Sequence, residues 1–356
     1  MKKNRKGLYE TQVTLNGKRK VFSAKTQIEL KRKIAAYTET VQKGMLFFDV
    51  AEQWMTKALP EYPFGTYKSY SPAAKRAQAH FGEYRLTEIT PAMIHAYIRS
   101  LGKKYASKTC SNQLTVISVI FRWAILQGWI SVNPADQVDV PAGLKKTKRT
   151  AATPAQTAII KAHTDGFGLV ANLILYTGLR IGEACALRYC DIDRDRKTVF
   201  VDKQIVWKGN RPTIDDTKTE SGERNVVLLE PLLKILPKGD PNVYIVGNDV
   251  KPIARGRFRR SWASWCNSVG LAHIETTIEN EKEKKTIVAD ITPHQLRHSY
   301  ATMLWEAGIQ PEIAQQLMGH ADIHTTQQIY LDIQTRHLEL AAAALNAHLE
   351  KPQCAD

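Results

Sequence analysis

The sequence predicts a multidomain protein that is mainly α-helical: a small α+β domain at the amino terminus, an all-α segment after it, and a mixed α+β but mostly helical domain over the second half. Three observations carry that expectation. At 356 residues the chain is longer than one ordinary hydrophobic core organises, so two or three domains are expected. Apolar residues recur with period two near the start, with helical period from about 46 to 138, and in alternating helical and strand-like runs after 153. Between the last two lies PAGLKKTKRT, residues 141–150, which holds Pro and Gly, lacks apolar periodicity and concentrates Lys145, Lys146, Lys148 and Arg149, as a basic linker does.

Composition narrows the partners. Lys and Arg number 50 against 35 Asp and Glu, a net charge of +15, which points to a polyanion and first of all to nucleic acid. A membrane is the weaker candidate: no apolar run approaches the ~20 residues of a spanning helix, and MKKNRKGLYE is not followed by a signal-peptide core. A cytoplasmic protein is expected. Cys110, Cys185, Cys190, Cys266 and Cys354 are odd in number and form no CxxC pair, which argues for reduced thiols used as small apolar residues and against a disulfide framework or a zinc site.

In residues 1–43, YETQVTL and KRKVFSA alternate apolar and polar around Asn16-Gly17, a strong two-residue hairpin signal. Thr26 and Glu29 form a capping pattern for a helix with Ile28, Leu30, Ile34, Ala35 and Tyr37 as its apolar positions. Lys18, Arg19 and Lys20 on the second strand suit a ribbon laid in a DNA major groove, the alternative being a solvated basic tail.

From 46 to 140 the pattern is helical. Phe47, Phe48, Val50, Ala51 and Trp54 open one helix, Thr90-Pro91 starts another, and a third carries Leu114, Ile117, Phe121, Ala124 and Ile125 and ends near Gly128. Lys75 and Arg76 stand between them as candidate phosphate contacts, or as part of a solvated helix face. A linker crossing a phosphate backbone would use the four basic residues of 141–150.

After Thr153-Pro154 the chain reads as helices at AQTAIIKAH and LVANLILY, a turn into a helix at TGLRIGEACAL, and short strands through KTVFVDKQIVWKGNRPTIDDTKTESGERNVVLL with turns at Lys208-Gly209 and Ser221-Gly222. VYIVG reads as a further strand. In RGRFRRSWASW the tryptophans are expected to be buried, with Arg257, Arg259 and Arg260 on the open, DNA-facing side, and IENEKEKKT is expected to be an exposed loop or hairpin tip. Tyr330 falls on the penultimate helix, and a tail with Leu338, Ala342, Leu345 and Leu349 at helical spacing follows.

The chemistry gathers in a few motifs. TGLRIGEACAL supplies Arg180 and Glu183, and TKTESGERNVVL supplies Lys218. ITPHQLRHSYAT places His294 and Arg297 three apart on one helix face behind a Thr-Pro start; LMGH supplies His320 and TTQQIY supplies Tyr330. Two arginines, two histidines, a lysine and a tyrosine are the parts needed to attack a phosphodiester without a metal. Taken in this order they resemble the active site of a tyrosine recombinase of the phage-integrase type, firmly over 150–345 and loosely over the front half.

The resemblance implies the organisation and the reaction. Residues 1–43 would be an arm-type DNA-binding domain, 46–140 an all-α core-site-binding domain, 151–345 the catalytic domain and 346–356 a tail. Tyr330 would attack the phosphorus to give a 3′-phosphotyrosyl link and a free 5′-hydroxyl. Arg180 and Arg297 would hold the phosphate, Lys218 would protonate the leaving 5′ oxygen, His294 would assist proton transfer, His320 would donate to the phosphate, and Glu183 would orient the cations. No metal, ATP or other cofactor is implied. The expected partners are double-stranded DNA with core and arm-type sites, further copies of the chain in a synaptic tetramer, and a small basic directionality factor or host DNA-bending protein. The competing readings are an architectural or regulatory DNA-binding protein with a vestigial site, and a relaxing topoisomerase.

Overall fold

The structure, a computed structural model, describes residues 7–15, 18–146, 150–216, 223–279 and 282–349. It falls into two compact units, residues 1–148 and 149–356. The turns at Asn16-Gly17 and Ser221-Gly222, together with Lys148, Arg149 and Lys218, lie outside the described residues.

In the first unit β1 (Tyr9–Leu15) and β2 (Lys18–Ala24) pair antiparallel from Tyr9↔Ala24 to Leu15↔Lys18. The Thr26 hydroxyl then starts α1 (Gln27–Lys43) by accepting from the Glu29 amide at 3.2 Å. Leu30 is fully buried and Ile34 half-buried one turn later, whereas Ile28 is 68% exposed. Two residues turn a helix by roughly 200°, so Ile28 and Leu30 belong to opposite faces and only Leu30 reaches the interior.

α2 (Phe47–Lys57), α3 (Phe64–Phe81), α4 (Pro91–Gly102) and α5 (Ser107–Leu126) close around Phe47, Trp54, Phe81, Ile94, Ile98, Ile117 and Phe121. Thr90 caps α4 ahead of Pro91, accepting from the Met93 amide at 3.3 Å. Gln113 on α5 ties that helix to α3: its buried amide donates to the Ala73 carbonyl at 2.8 Å and accepts from Arg76 Nε at 3.0 Å. The expected linker begins pinned to this bundle. Leu144 packs on Gly102, where a Cβ would meet it at 2.4 Å, and the Lys145 carbonyl accepts from the Ser107 amide at 2.9 Å.

The second unit opens with α6 (Pro154–Ala162), where Thr153 and Gln156 cap each other reciprocally. Thr153→Ala should therefore lower the unfolding free energy by about 1 kcal/mol, as urea denaturation would measure. α7 (Phe167–Thr177) is buried from Gly168 to Thr177, as a helix apolar on all sides must be. It ends at Gly178 with φ +65°, where a Cβ would stand 2.2 Å from the Tyr300 ring. α8 (Ile181–Ala186) follows directly.

β3 (Ile192–Asp193) and β4 (Thr198–Val201) lead into the hairpin of β5 (Lys203–Lys208) and β6 (Arg211–Asp216), turning at Gly209, and β7 (Arg224–Val227) returns to the free edge of β4. α9 (Glu230–Ile235) and α10 (Arg255–Ser268) come next. Trp262 of α10 is buried and donates to the Ile291 carbonyl at 2.9 Å. The unit ends with β8 (Ala272–Glu279), β9 (Lys282–Ala289), α11 (Pro293–Glu306), α12 (Pro311–Met318) and α13 (Ile323–Leu349).

Three sequence expectations are corrected here. VYIVG is not a strand: Tyr244 makes isolated bridges to Arg188 and Asp249, and the chain reverses at Gly247 and Asn248, so this buried run has no strand-length partner. The hairpin tip expected at IENEKEKKT agrees with its described residues, 278–279 and 282–286, which form the far paired end of β8 and β9, with the register running from Ala272↔Ala289 to Glu279↔Lys282 and residues 278 and 283–286 exposed. Tyr330 lies on the last helix, which runs without interruption through 345, because no Gly or Pro between Tyr330 and Leu349 stops it. Cys110, Cys185 and Cys266 are buried free thiols, but Cys190 is exposed, since it sits in the short turn before β3. Among the described residues no helix is long and apolar enough to cross a membrane.

Candidate active site

The left-handed turn at Gly178 sets Arg180 at the start of α8 in extended backbone. The Arg180 amide donates to Glu183 Oε2 at 2.9 Å, its Nη1 to Glu183 Oε1 at 2.7 Å and its Nη2 to the Gly319 carbonyl at 2.8 Å. Glu183 is 2% exposed and takes a second cation, Arg224 Nη2, at 2.9 Å. Burial works to raise its pKa, but Arg224 and then Arg180 outweigh burial and hold the carboxyl below its ordinary range.

Arg297 comes from the buried face of α11, whose first turn is set by Thr292, Pro293 and Gln295. Its Nη1 donates to the Gly178 carbonyl at 2.6 Å and its Nη2 to the Met318 carbonyl at 2.7 Å. Burial, and then the charges of Arg180 and Arg224 against the pull of Glu183, push its pKa down to about 9. Arg180, whose side chain is 43% exposed, and buried Arg224 thus pair with one carboxylate while buried Arg297 binds carbonyls beside them, which leaves an excess of positive charge among these groups. Such a cluster is relieved by an anion.

α12 ends in a second left-handed glycine, Gly319 at φ +64°, and this turn delivers His320. The His320 ring is 8% exposed, with Nδ1 2.8 Å from the Thr326 hydroxyl of α13. Burial, followed by Arg297, Arg180, Arg224 and His298, drives its pKa down to about 3, so the ring is neutral at neutral pH.

Tyr330, two turns into α13, packs with Tyr300, Leu304, Ala314 and Met318. Its hydroxyl donates to the Ile309 carbonyl at 3.2 Å and, among the described residues, hydrogen-bonds with no arginine, and burial raises its pKa. Tyr300 differs: burial raises its pKa too, but the charges of Arg224 and Arg297 act on it. The structure therefore brings together Arg180, Glu183, Arg297 and His320, and holds the Tyr330 oxygen on a backbone carbonyl. His294 is exposed while Arg297, three residues on, is buried, and the His294 ring stands edge-on to His298 at 4.8 Å. Lys218 lies outside the described residues.

Two members of the cluster escaped the sequence reading. Arg224 was visible only as a second basic residue beside Lys218, and nothing in ERNVVL announces a buried guanidinium. Thr326 belongs to the Thr-Thr pair before Tyr330, and six residues after His320 it falls where a helix can return a hydroxyl to the ring.

The candidate DNA contacts divide by exposure. Arg19 and Lys20 are exposed on β2, as are Lys75, Lys145, Lys146, Arg259 and Arg260. Lys18 holds its register on β2 opposite Leu15. Arg76 is half-buried, bound to Gln113 and lying 5.6 Å over the Tyr105 ring, and Arg257 pairs with Asp249 at 3.3 Å.

A mainly helical unit, a mixed unit, an arginine cluster around a buried glutamate and a tyrosine on the last helix define the tyrosine recombinase class. The chain belongs to the phage integrase family: the profile described as "Phage integrase family" matches residues 150–337, and "Phage integrase central domain" matches residues 47–140. Among curated relatives it is similar to tyrosine recombinase XerD of Lacticaseibacillus casei, 27% identical over 256 residues that cover 69% of this chain and 79% of the relative. Its fold is similar to that of the Tn1549 transposon integrase in complex with transposon right end DNA, with TM-score 0.61, 21% identity, and 84% and 100% of the two chains covered. It is also similar to a lambda integrase tetramer bound to a Holliday junction, with TM-score 0.54, 18% identity, and 90% and 95% covered.

Proposed function

We propose that this protein is a site-specific recombinase that integrates and excises a mobile DNA element, cutting and rejoining strands through a 3′-phosphotyrosyl intermediate and a Holliday junction. The observation that carries the reading is the excess positive charge of Arg180, Arg224 and Arg297 around the single carboxylate of Glu183, beside neutral His320. A phosphodiester supplies the anion this cluster needs, and guanidinium forks match its non-bridging oxygens.

In this reading the Tyr330 oxygen forms the new bond to phosphorus and the bond to the 5′ oxygen breaks. The phenolic proton leaves through His294, and the 5′ oxygen takes a proton from Lys218. With the Thr326 hydroxyl donating to Nδ1, His320 presents Nε2–H to a non-bridging oxygen. A 5′-hydroxyl from the partner duplex reverses the step, so bond energy is kept in the phosphotyrosine. Before any of this the Tyr330 hydroxyl must leave the Ile309 carbonyl.

Residues 1–43, with Lys18, Arg19 and Lys20, would bind arm-type sites. Residues 46–140, with Lys75, would bind the core site, while the structure commits Arg76 more to Gln113 than to solvent. The basic tract of 141–150 would pass the phosphate backbone, and Arg257, Arg259 and Arg260 would face DNA from the domain at 151–345. Four copies would form the synapse, as in the lambda integrase tetramer on its junction, with a small basic directionality factor or host DNA-bending protein assisting, in the cytoplasm on the nucleoid.

The test is a nicked suicide duplex carrying the element's own end, incubated with EDTA and no nucleotide. A covalent protein–DNA adduct is expected, and its absence on the native sites would favour the architectural reading. Nicking and resealing by single protomers without a partner duplex would favour a topoisomerase. DNA affinity should fall by about 10³ or more between 50 and 200 mM salt, as filter binding would measure, if six or more phosphates are contacted.

A further inference from the structure

Arg224 enters β7 at the edge of the sheet, opposite Val201, and its side chain is 8% exposed. Its guanidinium joins two parts of the site that are far apart in sequence. Nη2 donates to Glu183 Oε2 on α8 at 2.9 Å, and Nε donates to the Leu317 carbonyl at the end of α12 at 3.2 Å. Gly319 lies against it so closely that a Cβ there would stand 2.6 Å from Arg224 Nη1.

The neighbouring carbonyls extend the pattern. Leu317 accepts from Arg224, Met318 from Arg297 at 2.7 Å and Gly319 from Arg180 at 2.8 Å. Three consecutive carbonyls at a helix carboxyl end, where acceptors have no partners inside the helix, are each taken by an arginine from a different part of the unit. The next residue is His320. Whatever fixes this turn fixes the imidazole and both phosphate-binding candidates together.

Stability alone does not call for the third arginine. Glu183 already accepts from the Arg180 amide and guanidinium, so charge balance at the carboxylate is met without Arg224, and adding it increases the repulsion felt by Arg297. What Arg224 adds is geometry: a planar fork that reaches a carboxylate and a carbonyl at once, which a lysine ammonium on a flexible stem does not reproduce.

We infer that Arg224 is a positioning residue for strand cleavage: by bridging Glu183 to the Leu317 carbonyl it sets the Leu317–Gly319 turn against α8, and with it the placement of Arg180 and His320 around the phosphate. This rests on the recombinase reading above.

The experiment is single-turnover cleavage of the suicide duplex by the full chain carrying Arg224→Lys, which keeps the charge and loses the fork. Duplex binding should stay within about threefold of the parent while cleavage slows by about 10²-fold, the scale expected when reacting groups are misplaced by an ångström. A second duplex, with a methylphosphonate at the scissile position, removes the charge of the non-bridging oxygens and so the demand for aligned guanidiniums. On it the penalty should shrink to below about tenfold. Cleavage by Arg224→Lys at the parent rate overturns the inference, and so does an equal penalty on both linkages, which is what a merely structural role would give. Gly319→Ala, whose Cβ displaces the guanidinium and leaves every charge in place, should reproduce the loss, and normal cleavage by it counts equally against. A parent protein that forms no adduct on the charged duplex refutes the recombinase reading itself, a result distinct from all of these.

Discussion

Tyr330→Phe should bind its DNA site with the affinity of the parent protein and form no covalent adduct at any time. The loss is complete because the ring that remains has no oxygen to bond to phosphorus, whereas removing a phosphate-binding donor only raises the barrier. The fold should tolerate the change. The hydroxyl makes one hydrogen bond, to the Ile309 carbonyl, and the ring packs among Tyr300, Leu304, Ala314 and Met318 whether or not it carries oxygen. Loss of that single bond costs about 1 kcal/mol. Gel analysis of the suicide-duplex reaction beside an affinity measurement separates the two effects, and adduct formed by the variant would remove Tyr330 as nucleophile. The same geometry adds a kinetic expectation. The phenol is buried, its pKa is raised, and it donates to a carbonyl, so attack by this oxygen as proposed requires that contact to break first. Cleavage by the parent protein should lag behind DNA binding, because α13 has to release the ring first.

The cationic cluster was legible in the sequence to the extent that it is written in short motifs. Arg180 and Glu183 are three residues apart at a helix start, and Thr292-Pro293 fixes the turn that sends Arg297 inward, so local spacing determines how each is presented. The partners these residues choose were not legible. Arg297 binds two carbonyls, of Gly178 and Met318, and Arg180 a third, of Gly319; backbone acceptors carry no residue-type signal, and only the two left-handed glycines hint that the chain turns there. Arg224 was obscured for the same reason, since its burial follows from β7 pairing with β4 and meeting α12, a long-range arrangement. Fold class was readable from periodicity, and the reading failed where an apolar run lacked a strand partner, at Tyr244–Val246.

Arg297→Met is expected to separate chemistry from stability. A buried guanidinium is ordinarily a costly group to disturb, and truncating one partner of a buried pair typically removes ~3–5 kcal/mol. Here two terms oppose. The variant leaves the Gly178 and Met318 carbonyls without their donor, about 1–3 kcal/mol each. Against that, Arg297 is held charged where burial and then Arg180 and Arg224 disfavour it, and a pKa pushed down to about 9 from 12.5 corresponds to roughly 5 kcal/mol against the charged form. An apolar side chain of similar length removes that burden and fills most of the volume. The terms nearly cancel, so the unfolding free energy should stay within about 2 kcal/mol of the parent, while cleavage falls by about 10²–10³ or more through loss of a donor to the phosphate. Urea denaturation and single-turnover cleavage measure the two quantities on one preparation. A variant that unfolds several kcal/mol earlier yet cleaves normally while folded would mean that Arg297 serves the fold alone. The opposite outcome, intact stability with cleavage abolished, is what a phosphate site built around excess positive charge would give, with the repulsion among its guanidiniums borne by the fold until the proposed phosphate relieves it.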